Sequence, residues 1–137
     1  MNKNPNIKQI EKILKLYRSA KYKKMKEITY SLLKTFPNSE VLHNIMGAMH
    51  NQVGKYNESI KWHMKAVKIN PNYAEGYNNL GVILQKSGKL NEAINNFQKA
   101  IELKPKFAKA YNNMAAVQKD IGELNQAIDN CKIAIKL

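Results

Sequence analysis

Residues 74–81 read AEGYNNLG, and residues 108–115 read AKAYNNMA. The two stretches lie 34 residues apart, and the same interval runs through the rest of the chain. Glycines fall at Gly54, Gly88 and Gly122, and prolines at Pro37, Pro71 and Pro105. A fixed interval of this length marks a supersecondary unit repeated along the chain, each copy too small to bury its apolar face alone.

Within each interval the apolar residues keep helical spacing. Leu90, Ile94, Phe97 and Ile101 follow Gly88, and Leu124, Ile128, Cys131 and Ile135 follow Gly122. Tyr77, Leu80, Gly81 and Leu84 form a second stripe that ends at Gly88, where glycine can take the left-handed conformation that closes a helix. Each unit therefore reads as helix, tight turn, helix and a proline-marked loop. Small residues recur where antiparallel helices should cross closely: Gly81 with Ala93 and Ala100, Gly47 with Ser59 and Ala66, and Ala115 with Ala127 and Ala134. The expectation is that Gly81 faces Ala93 and Ala100, while Tyr77, Leu80, Leu84 and Phe97 fill the layers between units.

The series Tyr77, Leu80, Gly81, Leu84, Ala93, Phe97, Pro105 resembles the tetratricopeptide repeat (TPR) family. The resemblance covers residues 40–73, 74–107 and 108–137, with a degenerate first unit at 6–39 that keeps the period through Leu16, Leu32 and Pro37. That unit has Ala20 in place of the turn glycine and Met25 in place of a small residue, which suits a divergent cap with a repacked helix pair. The resemblance implies an all-α fold, a right-handed α-solenoid of four stacked antiparallel helix pairs. First helices would line a concave face and second helices the outer one. Residues 1–137 are expected to form one array, with its last helix, roughly residues 124–136, keeping a full apolar stripe.

The bulk composition narrows the functional classes. A net charge of +13 comes from 23 basic and 10 acidic residues, and Arg18 is the only arginine among the basic ones. Residues 1–39 alone carry net +8. Phosphate-reading surfaces generally use arginine forks, so this lysine, asparagine and isoleucine bias speaks against a nucleic-acid partner. No apolar run is long enough to span a membrane, and one cysteine permits no internal disulfide. A cytoplasmic protein is expected.

Candidate sites are few. His43, His50 and His63 all lie in the second unit, but each takes a slot that is aromatic or large and apolar one unit later, at Tyr77, Leu84 and Phe97. They read as core residues, and no metal is assigned. Cys131 shares the Phe97 slot and reads as a packed side chain. No phosphate loop, nucleophile turn or carboxylate pair appears, so neither an enzymatic activity nor a cofactor is expected. The stretch YRSAKYKKMK at 17–26 interleaves Arg18, Lys21, Lys23, Lys24 and Lys26 with Tyr17 and Tyr22. It offers a polyanion grip at best, and a solvated turn is the preferred reading.

The face left free by the repeat pattern is rich in amides. Projection of the first helices places Asn44, Asn78, Asn79, Asn112 and Asn113 toward the concave groove, with Asn51, Gln85 and Lys119 further on. The following-turn positions Ala48, Val82 and Ala116 differ from the lysine and asparagine clamp of chaperone-binding TPR domains. The groove is more similar to the asparagine-lined TPR array of O-linked N-acetylglucosamine transferases. A peptide-binding scaffold is expected, with Asn79 and Asn113, helped by Asn44, holding a ligand's backbone. Rungs about 10 Å apart would serve about three residues of an extended strand rising about 3.3 Å per residue. The alternatives are a targeting or assembly arm of a larger transferase or hydroxylase, and a polyanion binder. Self-association through an apolar face of Leu124, Ile128, Ile135 and Leu137 is also expected.

Overall fold

The computed structural model describes residues 2–137, which form eight α-helices and, among the described residues, no strand. They fall in four pairs: α1 (Ile7–Arg18) with α2 (Tyr22–Thr35), α3 (Glu40–Gln52) with α4 (Tyr56–Ile69), α5 (Ala74–Lys86) with α6 (Leu90–Leu103), and α7 (Ala108–Asp120) with α8 (Leu124–Lys136). Residues 1–71 and 72–137 make two compact units of two pairs each. The fold is an all-α repeat, as the period requires.

Local chemistry sets the helix ends. Asn6 opens α1 with a reciprocal capping box to Gln9, and the Ser39 hydroxyl accepts from the Leu42 amide at the start of α3. Inside the pairs the turn residues Gly54, Gly88 and Gly122 have φ of 73°, 77° and 85°, a region costly for side chains with a Cβ. The degenerate first unit keeps the same turn with Ala20 at φ 54°. Its α1–α2 pair is closed by Ile13 and Met25, both fully buried, so a long side chain does fill the position that is small elsewhere.

In the unit of residues 1–71, Ile13, Met25, Leu42, Ile45, Met46 and Met49 form the core, with Trp62 packed against it. In the unit of residues 72–137, Leu80, Ile83, Leu84, Phe97, Met114 and Val117 are buried alongside Ala93, Ala100, Ala115, Ala127 and Ala134. The close crossing differs in one detail from the expectation. Gly81 does face α6, but its nearest neighbour there is the Phe97 ring rather than Ala93 or Ala100: a Cβ at residue 81 would lie 2.6 Å from Phe97 Cε1. The large ring needs the missing side chain as a notch. The same notch recurs one repeat earlier, where a Cβ at residue 47 would lie 2.6 Å from His63 Nε2, and the Ser59 hydroxyl donates to the Gly47 carbonyl at 2.8 Å.

All three histidines are buried, as their slots imply. His43 contacts the Ser39 carbonyl through Nδ1 at 2.9 Å, whereas Nδ1 of His50 and of His63 has no hydrogen-bond partner. Burial pushes the His63 pKa down from 6.5 to about 4. Desolvation also lowers His50, reinforced by Lys26 and Lys55 and opposed by Glu58. Cys131 departs from its expected role. It is exposed although its neighbours on the same stripe of α8, Ala127 and Ala134, are buried, whereas Phe97 in the corresponding slot lies in the Gly81 notch.

Two outcomes follow from this packing. Gly81→Ala should gain about 1 kcal/mol of helix propensity but lose more to the clash with a fully buried ring, for a net destabilisation of about 1–2 kcal/mol in urea unfolding. His63 contributes a pH dependence of definite sign. Its folded pKa lies below the unfolded value, so from pH 6.5 downward the unfolded chain binds a proton that the folded chain refuses. Stability is complete above about pH 6.5 and falls toward pH 4, by about 3 kcal/mol at 1.36 kcal/mol per unit. His63→Phe, which restores the ring found at residue 97, should flatten unfolding curves measured at pH 7 and pH 4.5; an unchanged pH dependence would place its source elsewhere.

Candidate functional site

The polar residues of the first helices divide into two groups once their surroundings are considered. Asn112 and Lys119 on α7 are exposed, and Asn79 and Gln85 on α5 and Asn113 on α7 are half-buried, as are Asn44 and Asn51 on α3. Asn78 is not a groove residue in the sense expected. It is 1% exposed, and its Oδ1 accepts a 2.9 Å hydrogen bond from Asn113 Nδ2. The reason is the repeat offset. Asn78 and Asn113 are 35 residues apart, one more than the period, and the next first helix covers that position.

The same offset recurs in the other unit, where Gln52 Nε2 donates to the Tyr17 hydroxyl at 2.7 Å. The buried Asn78 amide would be costly unless bonded, so its bridge ties α5 to α7, whereas the Gln52–Tyr17 bond joins α3 to α1 at the exposed surface. Asn44, Asn51 and Asn79 are likewise engaged by other groups of the protein. Part of the amide row is therefore internal structure, and in the unit of residues 72–137 Asn112 and Lys119 are its exposed members, with Asn79 and Gln85 half-buried.

Charged pairs frame the loops beside this row. Lys104 Nζ meets Glu75 Oε1 at 2.8 Å and holds that carboxyl below the usual carboxylate range. In the other unit Lys3 lies 3.4 Å from Glu40, and Asn70 donates to the same carboxylate at 3.1 Å. The Glu40 carboxyl is lowered as well: burial works against its charge, and its backbone hydrogen bond, Asn70 and Lys3 together outweigh that cost.

The basic stretch lies at the α1–α2 turn. Arg18, Lys21, Lys23, Lys24 and Lys26 are all exposed, while Tyr17 and Tyr22 are half-buried and meet edge to face at 6.0 Å. The rings are thus committed to the helix pair, and the lysines stand in solvent around them. Lys26 also sits over the Tyr30 ring at 5.8 Å.

Two features went unread at the level of residues. Trp62 on α4 gathers a ring cluster, with Tyr30 edge to face at 6.0 Å, His43 at 5.4 Å and His50 stacked at 6.4 Å. In the unit of residues 72–137, α6, α7 and α8 enclose an open groove of about 610 Å³ floored by Ile94, Met114 and Ile121. The signal for the second was present: Gln118 occupies the slot of Leu16, His50 and Leu84 in the other repeats. No group of His, Cys, Asp or Glu among the described residues is arranged to hold a metal ion, and no helix among them is long and apolar enough to cross a membrane.

Comparison with known proteins agrees with this architecture. Models of the tetratricopeptide repeat match residues 74–107 and 96–129, and a TPR repeat model matches residues 47–88. No curated protein sequence matches significantly. Among solved structures, a crystal structure of MamA superposes with a TM-score of 0.84 at 20% identity, over 93% of this chain and 75% of that one. A second MamA crystal structure gives 0.77 at 23% identity, over 93% and 72%. A MamA RS-1 double mutant gives 0.81 at 19% identity, over 90% and 70%. At such identities the likeness is one of fold. The matched segments together run from residue 47 to residue 129, and with the 34-residue period and the glycine notches they establish that the chain belongs to the tetratricopeptide repeat family.

Proposed function

We propose that the chain is a noncatalytic protein-interaction scaffold that holds an extended peptide along the polar row of its first helices. The observation that carries this reading is the pairing of Asn112 and Lys119, both exposed, two turns apart on one face of α7, with Asn79 and Gln85 presenting polar edges from α5. An amide supplies donors and an acceptor together, so it can satisfy a peptide group without selecting a side chain. Lys119 adds a cation that favours an acidic residue or a carboxylate at one end of the ligand.

Asn113 contributes less than its position in the sequence promises, because its amide nitrogen is given to Asn78. Replacing it would orphan a buried group and cost folding as well as binding. The informative variant is therefore Asn112→Ala combined with Lys119→Ala, which touches no buried partner. Peptides selected from an unbiased array on the full chain should lose about 1–3 kcal/mol of affinity to this variant by calorimetry, with the unfolding midpoint nearly unchanged. Selected peptides that bind both forms equally would remove the row from the site.

A second reading rests on α8, where Leu124, Ile128, Ile135 and Leu137 are 56%, 52%, 84% and 51% exposed. Contiguous apolar surface of this kind is normally covered in use, and we infer that a second copy covers it here. Sedimentation at high concentration should show species heavier than the monomer, and Ile128→Glu with Ile135→Glu should return them to the monomer. A wild-type chain that stays monomeric and binds no apolar dye would refute it.

A further inference from the structure

The groove enclosed by α6, α7 and α8 lies apart from the amide row of the first helices, and neither Asn112 nor Lys119 lines it. It departs from the rest of the molecule in charge. Of 23 basic residues in the chain none lines this groove, whereas the carboxylates of Glu123 and Asp129 do. In a protein of net charge +13 this is a concave surface from which positive charge is absent.

Its wall is a fixed polar chain. Gln118 is 5% exposed; its Nε2 donates to Gln126 Oε1 at 3.2 Å, and its Oε1 accepts from Asn130 Nδ2 at 2.7 Å. The equivalent slot holds Leu16, His50 and Leu84 in the other repeats, and the slot of Asn130 holds Trp62 in the second repeat, where it stacks on His50. A ring-on-ring contact in one repeat is thus an amide-on-amide contact in the other. A buried amide adds nothing to packing that leucine would not supply better, and a departure from the packing rule points to a role at the surface. With Gln118 spending its carbonyl on Asn130, the Asn130 carbonyl is left as an acceptor beside Asp129. Ile94, Met114 and Ile121 provide the apolar floor.

We propose that this groove binds a partner protein through a basic side chain, its cationic head set among Glu123, Asp129 and the Asn130 carbonyl and its aliphatic stem lying over Ile94, Met114 and Ile121. A cation with an apolar stem matches both halves of the lining. A volume of about 610 Å³ accommodates one such side chain together with the backbone on either side of it. The occupant is a segment of another protein, selected by charge complementarity to a groove that the chain's own lysines avoid.

The test uses the full chain and a capped peptide bearing one arginine between two leucines, compared with the same peptide bearing the uncharged analogue citrulline. Nuclear magnetic resonance titration should move the side-chain amide signals of Gln126 and Asn130 with the arginine peptide, and the citrulline peptide should bind about tenfold or more weakly. Glu123→Gln with Asp129→Asn should abolish that preference. Gln118→Leu, which installs the residue of the sister repeats and so keeps the fold, should weaken binding by releasing Asn130, while Asn112→Ala with Lys119→Ala should leave it unchanged. Equal binding of the two peptides, or a preference that survives the carboxylate substitutions, would overturn the proposal. So would dispersal of a self-associated form by those substitutions, which would make a second copy the occupant.

Discussion

Everything in this molecule depends on how closely the two helices of a pair approach. At Gly47 and Gly81 the missing Cβ admits a ring from the opposing helix, His63 in one case and Phe97 in the other. The notch sets the crossing and buries a large side chain, so the pair becomes a block that can be repeated. Where glycine is absent the block is built differently. Ala115, Ala127 and Ala134 are all buried in a pair whose ring slot is Cys131, and the first pair closes on Met25. The histidine variant brings its own consequence, since burial in the notch strips the His63 ring of solvent, lowers its pKa to about 4 and thereby couples packing to pH.

The fold was legible in the sequence because its determinants are periodic. Gly54, Gly88 and Gly122 mark turns that need positive φ, the prolines mark loops between pairs, and the stripes between them have one period. What the period does not specify is the partner of each residue across a pair. Gly81 was expected against Ala93 and Ala100 and lies against Phe97, because small residues on both helices satisfy the same spacing rule while only the backbone crossing decides which of them meet. Cys131 illustrates the complementary limit: the residue in the Phe97 slot is exposed in the last pair although Ala127 and Ala134 beside it are buried.

The site was legible as a composition and less so as a geometry. Helical projection correctly gathers the amides onto the first helices, but it treats each helix alone and so cannot see that a residue 35 positions later covers Asn78. The bridges Asn113–Asn78 and Gln52–Tyr17 are both consequences of that one-residue excess over the period. An asparagine-rich face therefore divides into residues that join neighbouring repeats and residues that stand in solvent. Frequency in the sequence does not separate the two; a partner within 3 Å does.

A repeat protein reuses one backbone many times, which makes its departures from repetition unusually informative. In an ordinary domain a buried glutamine has no sister positions to be judged against. Here Gln118 can be compared with Leu16, His50 and Leu84 in the same slot, and Asn130 with Trp62 and Asn96. The shared backbone means that these slots meet similar neighbours, so the change to an amide at Gln118, beside an asparagine that the third repeat already carries at Asn96, reflects what the surface presents rather than what the fold needs. The ring cluster around Trp62 and the amide groove around Gln118 are two chemistries written on one geometry: the first is flanked by Lys26, Lys34 and Lys65, the second by Glu123 and Asp129. The repeats thus differ in the chemistry they present, and the helix pairs beneath supply the same rigid support to each.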